Sequence, residues 1–141
     1  MNGREDFRAP ATDAEWASYH GIRRRVLFEL RGNAVAYDAH HPDEHRPGRH
    51  PFILWVAGEP VGVIRIDIDG PVATFRRVAI REDMQRRGHG RRLLEAAERF
   101  ATEQGCTRIE SRVDPDAVRF YERCGFTRSD PVSVLMSKSL G

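Results

Sequence analysis

Three observations predict an α/β domain built on one mixed, mostly antiparallel sheet flanked by helices. Between residues 52 and 80, three runs rich in Val, Ile and Phe are separated only by Gly58-Glu59-Pro60 and Asp69-Gly70-Pro71, the pattern of an antiparallel meander. After Gly90, the residues Leu93, Leu94, Ala97, Phe100, Ala101 and Gln104 recur at helical spacing, and Arg91, Arg92, Glu95, Glu98, Arg99 and Glu103 occupy the opposite face. A strand, a short helix opened by proline and a last strand follow. The order is α, β-β-β, α, β, α, β without repeats or a linker. At 141 residues this is one domain, residues 1–141, with room for a substantial core.

Each element has its own signals. Residues 1–11 read as a flexible lead-in. Thr12 with Glu15 fits a capping box, and Trp16, Tyr19, Ile22, Val26, Phe28 and Leu30 suggest helical turns broken near Gly21 and stopped at Gly32. Residues 39–51, rich in His, Pro and charge, read as an irregular loop or substrate-facing lid. Strands are expected over 52–57, 61–68 and 72–80, and the alternation in the second buries one face. The helix from Gly90 ends at Gly105, a natural left-handed stop. Residues 107–113 are a strand, and Asp114-Pro115 supplies a cap and a first-turn proline for a helix over 116–124 that Gly125 ends. A strand over 132–137 closes the chain.

Composition narrows the function classes. Twenty-three basic against 21 acidic side chains give a net charge of +2, too small to argue for nucleic acid. Cys106 and Cys124 lack metal-ligand spacing and suggest no disulfide framework, so a reducing, cytoplasmic setting is expected. The opening MNGREDFRAP has no apolar core, and the longest apolar run, 52–57, is too short to span a bilayer; no leader and no membrane partner are expected. Four histidines between His40 and His50 match no metal motif, and no metal is expected.

The stretch from Val78 to Leu94, VAIREDMQRRGHGRRLL, concentrates chemistry. An apolar strand end, a polar connector and a two-glycine loop lead into a helix, which aims backbone N–H groups and a helix dipole at one point. Glycines suit such a loop where a side chain would block close approach or force a costly angle. Charge is locally positive, with Arg81, Arg86, Arg87, Arg91 and Arg92 against Glu82 and Asp83. Gly90 is followed by Arg91-Arg92 and not by the Lys-Ser/Thr of a P-loop, and the third glycine of a dinucleotide fingerprint is missing.

Gln85-x-x-Gly88-x-Gly90, after a strand ending Arg77-Val78-Ala79-Ile80, resembles the central acyl-CoA motif of the GNAT superfamily of N-acetyltransferases. Asp114-x-x-Ala117-x-x-Phe120-Tyr121-Glu122-x-x-Gly125-Phe126 looks like that family's second signature, in the right order and spacing. Ile22-Arg23-x-x-Val26-Leu27-Phe28-Glu29 is similar to a helix of a small bacterial GNAT subgroup with poorly defined substrates, so the resemblance spans about residues 12–138. It implies acetyl-CoA as acyl donor, with the pyrophosphate on the N–H groups of Arg86, Arg87, Gly88, His89 and Gly90 and on the following helix end. Arg91 and Arg92 would add charge, and Gln85, Asp114, Ala117 and Phe120 belong to the same cofactor motifs. The pantetheine arm would pair with the backbone of Val78, Ala79 and Ile80, in a slot where two strands splay apart. Tyr121 would be the general acid and the Val78 N–H an oxyanion donor. Members of the family often dimerise, so a homodimer is an expected assembly.

The base is where the sequence departs from better-known members. They often carry a glutamate where this chain has Thr74, and residues 72–80 offer no carboxylate or histidine. Glu29 is the tentative base, with Glu110 and a water chain as alternatives. Asp114 stands where asparagine is usual but can still cap. Arg65, Arg76 and Arg112 either line an acceptor pocket or cover a sheet face. The expected function is direct acetyl transfer to a primary amine of a small molecule or protein. The alternative is a non-catalytic acyl-CoA-binding regulator on the same fold.

Overall fold

The computed structural model describes residues 5–29, 46–132 and 134–140, apart from the side chains of Phe28 and Glu29. The strands β1 (Glu5–Arg8), β2 (Arg49–Val56), β3 (Glu59–Asp69), β4 (Val72–Ile80), β5 (Arg108–Arg112), β6 (Thr127–Arg128) and β7 (Leu135–Ser139) form one sheet in the order β1-β2-β3-β4-β5-β7-β6. Only β4 and β5 run parallel; every other neighbouring pair is antiparallel. Helices α1 (Asp13–Arg23), α2 (His89–Glu103) and α3 (Val118–Arg123) complete the fold.

The meander β2-β3-β4 forms as the sequence predicts, with small corrections. The β2–β3 turn falls on Ala57 and Gly58, both at positive φ (54° and 81°), so Glu59 and Pro60 already belong to β3. β2 starts at Arg49, earlier than expected, because β3 is long enough to pair with it and the Ile68 N–H reaches the Gly48 carbonyl at 2.8 Å. Glu5–Arg8, placed by sequence in the flexible lead-in, is an edge strand on β2, with Phe7 stacked on Phe52 at 4.4 Å. The last strand lies at Leu135–Ser139 and not at 132–137; Val132 is 90% exposed.

α1 opens on Thr12, whose hydroxyl takes the Glu15 N–H at 3.1 Å while the Glu15 carboxylate takes the Ala11 N–H at 2.9 Å. The helix is not broken at Gly21. It continues and widens into a π-helical turn, Arg24–Glu29. Leu30, Gly32 and the lid residues 39–45 lie outside the described residues. α2 and α3 each end on the predicted glycine in one hydrogen-bond pattern: Cys106 N–H to the Ala101 carbonyl and Gly105 N–H to Thr102, then Phe126 N–H to Tyr121 and Gly125 N–H to Glu122, all at 3.0 Å.

Two apolar layers cover the sheet. On one face, Leu93, Leu94, Ala97 and Ala101 of α2 pack with Ile64, Ile66, Phe75, Ile109 and Met136; on the other, Tyr19 and Ile22 of α1 pack with Ile53, Val63 and Ala79. Among the described residues, no helix is long and apolar enough to cross a membrane.

Candidate functional site

β4 changes partners halfway along its length. Its parallel rungs with β5 run from Val72↔Arg108 to Phe75↔Ser111 and stop there, while β4 continues to Ile80. On its other edge, Arg76 faces Arg65 and Ala79 faces Val63, so Arg77 and Val78 together oppose Ile64. This bulge, with Arg77 at φ 55°, bends β4 and opens a gap on the β5 side. Because the Arg81 N–H goes to Val61 on β3 at 2.8 Å, strand alternation turns the backbone groups of Ile80 and Val78 toward the gap and those of Ala79 toward β3.

The connector is held tightly. Arg81 binds Asp83 at 2.6 Å, Glu59 at 3.2 Å and the Pro60 carbonyl at 3.2 Å, fixing the end of β4 to the β2–β3 turn. Its guanidinium holds the Asp83 carboxyl below the usual carboxylate range. Arg25 reaches Glu82 at 2.8 Å, tying the π-helical turn to the same connector. Gln85 donates its side-chain amide to the Ile80 carbonyl at 3.0 Å, folding the glycine loop back over the strand end.

The two glycines act for different reasons. Gly88 sits at φ 84°, a left-handed angle that a side chain would strain. At Gly90, an added Cβ would lie 3.0 Å from Cζ of Phe120, so this residue is small to admit an aromatic ring from α3. The close approach expected of a ligand is here made by Phe120.

The N-terminus of α2 is left open, in contrast to α1. No side chain caps it, no acid lies in its first turn, and the Gly88 carbonyl takes the Arg92 N–H at 3.2 Å. The first-turn N–H groups of His89, Gly90 and Arg91 are thus offered outward beside the positive end of the dipole. Arg91 and Arg92 contribute less charge than the sequence implies, since they pair with Glu95 at 3.6 Å and Glu5 at 3.4 Å. Arg86 and Arg87 are exposed and make no ion pair among the described residues. The His89 ring is buried, and its Nδ1 has no hydrogen-bond partner among the described residues.

Tyr121 lies at the apex of the gap. Its hydroxyl lies beside Ser111, whose Oγ donates to the Phe75 carbonyl at 3.2 Å; Ser111 and Phe75 are the last parallel rung. Burial pushes the phenol up to about 12, against a smaller lowering by Ser111. The ring is wedged edge-on between Phe120 at 5.6 Å and Phe126 at 5.2 Å. Sequence reasoning singled out Tyr121 but not Ser111, whose only signal was one polar residue at an inward strand position.

Other candidates fall apart from this centre. Asp114 makes no side-chain cap; its carbonyl takes the Ala117 N–H at 2.9 Å and opens a 3-10 turn, Pro115–Ala117, so the expected capping role is corrected. Proline at the first turn position lacks an N–H, so one of the donors left without a helical partner is absent there. Glu110 pairs with Arg108 at 3.2 Å and lies in register with Thr74, one residue before the divergence. The Glu29 backbone ends the π-helical turn; its carboxylate lies outside the described residues, as do His40, His41 and His45. His50 lies in β2 with its ring 5.2 Å from Phe100. No group of three metal-ligating side chains occurs among the described residues. A groove of about 720 Å³ runs between α2 and the end of α3, bounded by Glu95, Glu98, Arg123 and Lys138; neither Tyr121 nor Ser111 lines it.

Comparison with known proteins identifies the fold and the family. An N-acetyltransferase structure from Lactobacillus plantarum, so named by assignment, is 28% identical and superposes over the whole of both chains with a TM-score of 0.79. The ribosomal-protein-S18-alanine N-acetyltransferase of Escherichia coli shares the fold at 17% identity, with a TM-score of 0.78 over 98% of this chain and 95% of that one. A Thermoplasma acidophilum N-acetyltransferase in complex with coenzyme A shares it at 14% identity and a TM-score of 0.72, over 96% and 99%. A protein of Bacillus subtilis (strain 168), provisionally named an acetyltransferase, is 26% identical over 105 residues, 74% of this chain and 71% of its own length. The model of the acetyltransferase (GNAT) family matches residues 12–126, and the chain belongs to that family.

Proposed function

We propose that this protein is an N-acetyltransferase that moves an acetyl group from acetyl-CoA directly to a primary amine of a small molecule or protein, in the cytoplasm. The observation that carries the reading is the coincidence of three features at one place. The β4–β5 ladder ends at Phe75 and Ser111, the buried Tyr121 hydroxyl lies beside that rung, and an uncapped helix N-terminus lies just beyond the same strand. The coenzyme A complex of the Thermoplasma acidophilum neighbour supports the choice of donor.

In this reading the open N–H groups of Gly88, His89 and Gly90, with Arg86 and Arg87, hold the pyrophosphate. Val78 and Ile80 pair with the pantetheine amides as a neighbouring strand would, the Ile80 carbonyl being already shared with Gln85. The acceptor nitrogen attacks the thioester carbon, forming a C–N bond and an oxyanion that the Val78 N–H stabilises. The C–S bond then breaks, and the Tyr121 O–H delivers its proton to the departing thiolate. The amine proton leaves to Glu29 or to water.

The absence of a carboxylate from 72–80 favours a second reading, a regulator that binds acyl-CoA without turnover. Release of free thiol from acetyl-CoA across a panel of amines separates the two. Amine-dependent release supports transfer, and coenzyme A binding without release from any acceptor supports the regulator.

A further inference from the structure

Tyr121, the acid of the transfer reading, sits on α3, a helix of six residues. A helix so short holds no shape of its own in water, so its place is set by what it touches. It meets α2 at two points. At one, the Phe120 ring lies against Gly90 in the first turn of α2. Farther along, the groove of about 720 Å³ separates the two helices, and Lys138 of β7, which lines the groove, joins its sides. Lys138 Nζ donates to the Cys124 carbonyl at 2.9 Å and to Glu98 Oε2 at 3.1 Å, and Glu98 Oε1 lies 2.9 Å away. Glu98 belongs to α2. Cys124 closes α3, and its N–H returns to the Tyr121 carbonyl at 3.0 Å. Two consecutive hydrogen bonds therefore lead from the ammonium to the backbone of the acid.

The choice of residue is informative. Lys138 is the one lysine among 23 basic side chains. Three oxygens converge on one nitrogen, a demand that a compact ammonium with three protons meets and a planar guanidinium does not. Space is short as well, since a Cβ at Gly125 would lie 3.1 Å from Cε and 3.2 Å from Nζ of Lys138. The Cys124 carbonyl is one of the terminal acceptors that a helix leaves unsatisfied, and a cation there meets the negative end of the dipole. Lys138 and Glu98 are each only 26% exposed, which sets the pair apart from ion pairs held loosely in solvent.

We infer that Lys138 is a positioning residue for Tyr121: its ammonium, shared between Glu98 and Cys124, sets the seat of α3 and so the place of the phenol. The inference rests on the acyl-transfer reading for the role of Tyr121, and the test below separates the two. Displacement of a reacting group by about 1 Å costs about 10²-fold in rate, so loosening this seat acts on turnover without touching the pyrophosphate loop.

The test uses the whole protein and two readouts: thiol release for kcat and KM, and amide hydrogen exchange for local opening of residues 118–126. Lys138→Met should lower kcat by about 10- to 100-fold with little change in coenzyme A affinity. Exchange across 118–126 should become about 10- to 100-fold faster, while α2 and β4 keep their wild-type rates. Lys138→Arg should recover little of either. A cooperative melt verifies folding, and Glu98→Gln, which keeps the volume and one acceptor, gives the same changes at smaller size and carries the test if Lys138→Met does not fold. An unchanged kcat, unchanged exchange of 118–126, or full recovery in Lys138→Arg overturns the inference. Faster exchange confined to 118–126, in a protein that releases no thiol with any amine, keeps the seat and overturns the transfer reading.

Discussion

Tyr121→Phe is expected to lower turnover by about 10²- to 10⁴-fold, the range for loss of a positioned general acid, with little change in coenzyme A affinity. The substitution keeps the ring between Phe120 and Phe126 and leaves Gly90 packed on Phe120, so the loop that would hold the pyrophosphate is undisturbed. What goes is the hydroxyl and its proton. The pH behaviour has a definite sign. The folded-state phenol lies at about 12 against an ordinary 10.0, so its contribution to stability is complete below pH 10 and is lost as pH rises toward 12. That loss amounts to about 1.4 kcal/mol per pH unit within this window and should be missing from the phenylalanine variant. Alkaline melts of the two proteins measure it. Unchanged turnover in the variant would make the acid assignment wrong.

Asp67→Ala is expected to destabilise the protein by about 3–5 kcal/mol, because it leaves the buried Arg65 facing Arg76 and Arg49 without their common counter-charge. For a domain of this size that is a fall in melting temperature on the order of 10–20 °C, read by calorimetry or by the urea midpoint. Asp67→Asn separates shape from charge: it keeps the volume and an acceptor oxygen but not the negative charge, and should recover only part of the loss. A change below about 1 kcal/mol in both variants would mean that the arginines are solvated independently, as exposed ion pairs usually are.

The parts of the fold visible in the sequence are those written in local chemistry. The β2-β3-β4 meander is bounded by Gly58 and by Gly70-Pro71, the α2 stripe repeats at helical spacing, and Gly105 and Gly125 take left-handed angles that glycine tolerates. The parts that escaped are settled by partners far along the chain. Glu5–Arg8 is a strand because β2 offers it an open edge, and nothing within MNGREDFRAP announces that edge. The widened turn after Arg23 and the two-residue strand at Thr127 are likewise tertiary outcomes.

The candidate site divides in the same way. The loop from Gln85 to Gly90 and the Phe120-Tyr121 pair were legible as motifs, but their joint packing was not: Gly90 is small for Phe120, and Gln85 ties its loop to Ile80. Ser111 and Asp67 became interpretable only through cross-strand register, which places one at the end of the β4–β5 ladder and surrounds the other with arginines. The five arginines from Arg81 to Arg92 looked like a single basic patch. The fold spends Arg81, Arg91 and Arg92 on carboxylates and leaves Arg86 and Arg87 at the loop.

A crystal structure with coenzyme A bound tests the central claim most directly. The account predicts the pyrophosphate on the N–H groups of Gly88 to Gly90, the pantetheine arm along Val78 and Ile80, and the sulfur within about 3.5 Å of the Tyr121 hydroxyl. Coenzyme A seated instead in the groove beside Arg123 and Lys138, or a sulfur remote from Tyr121, would contradict it.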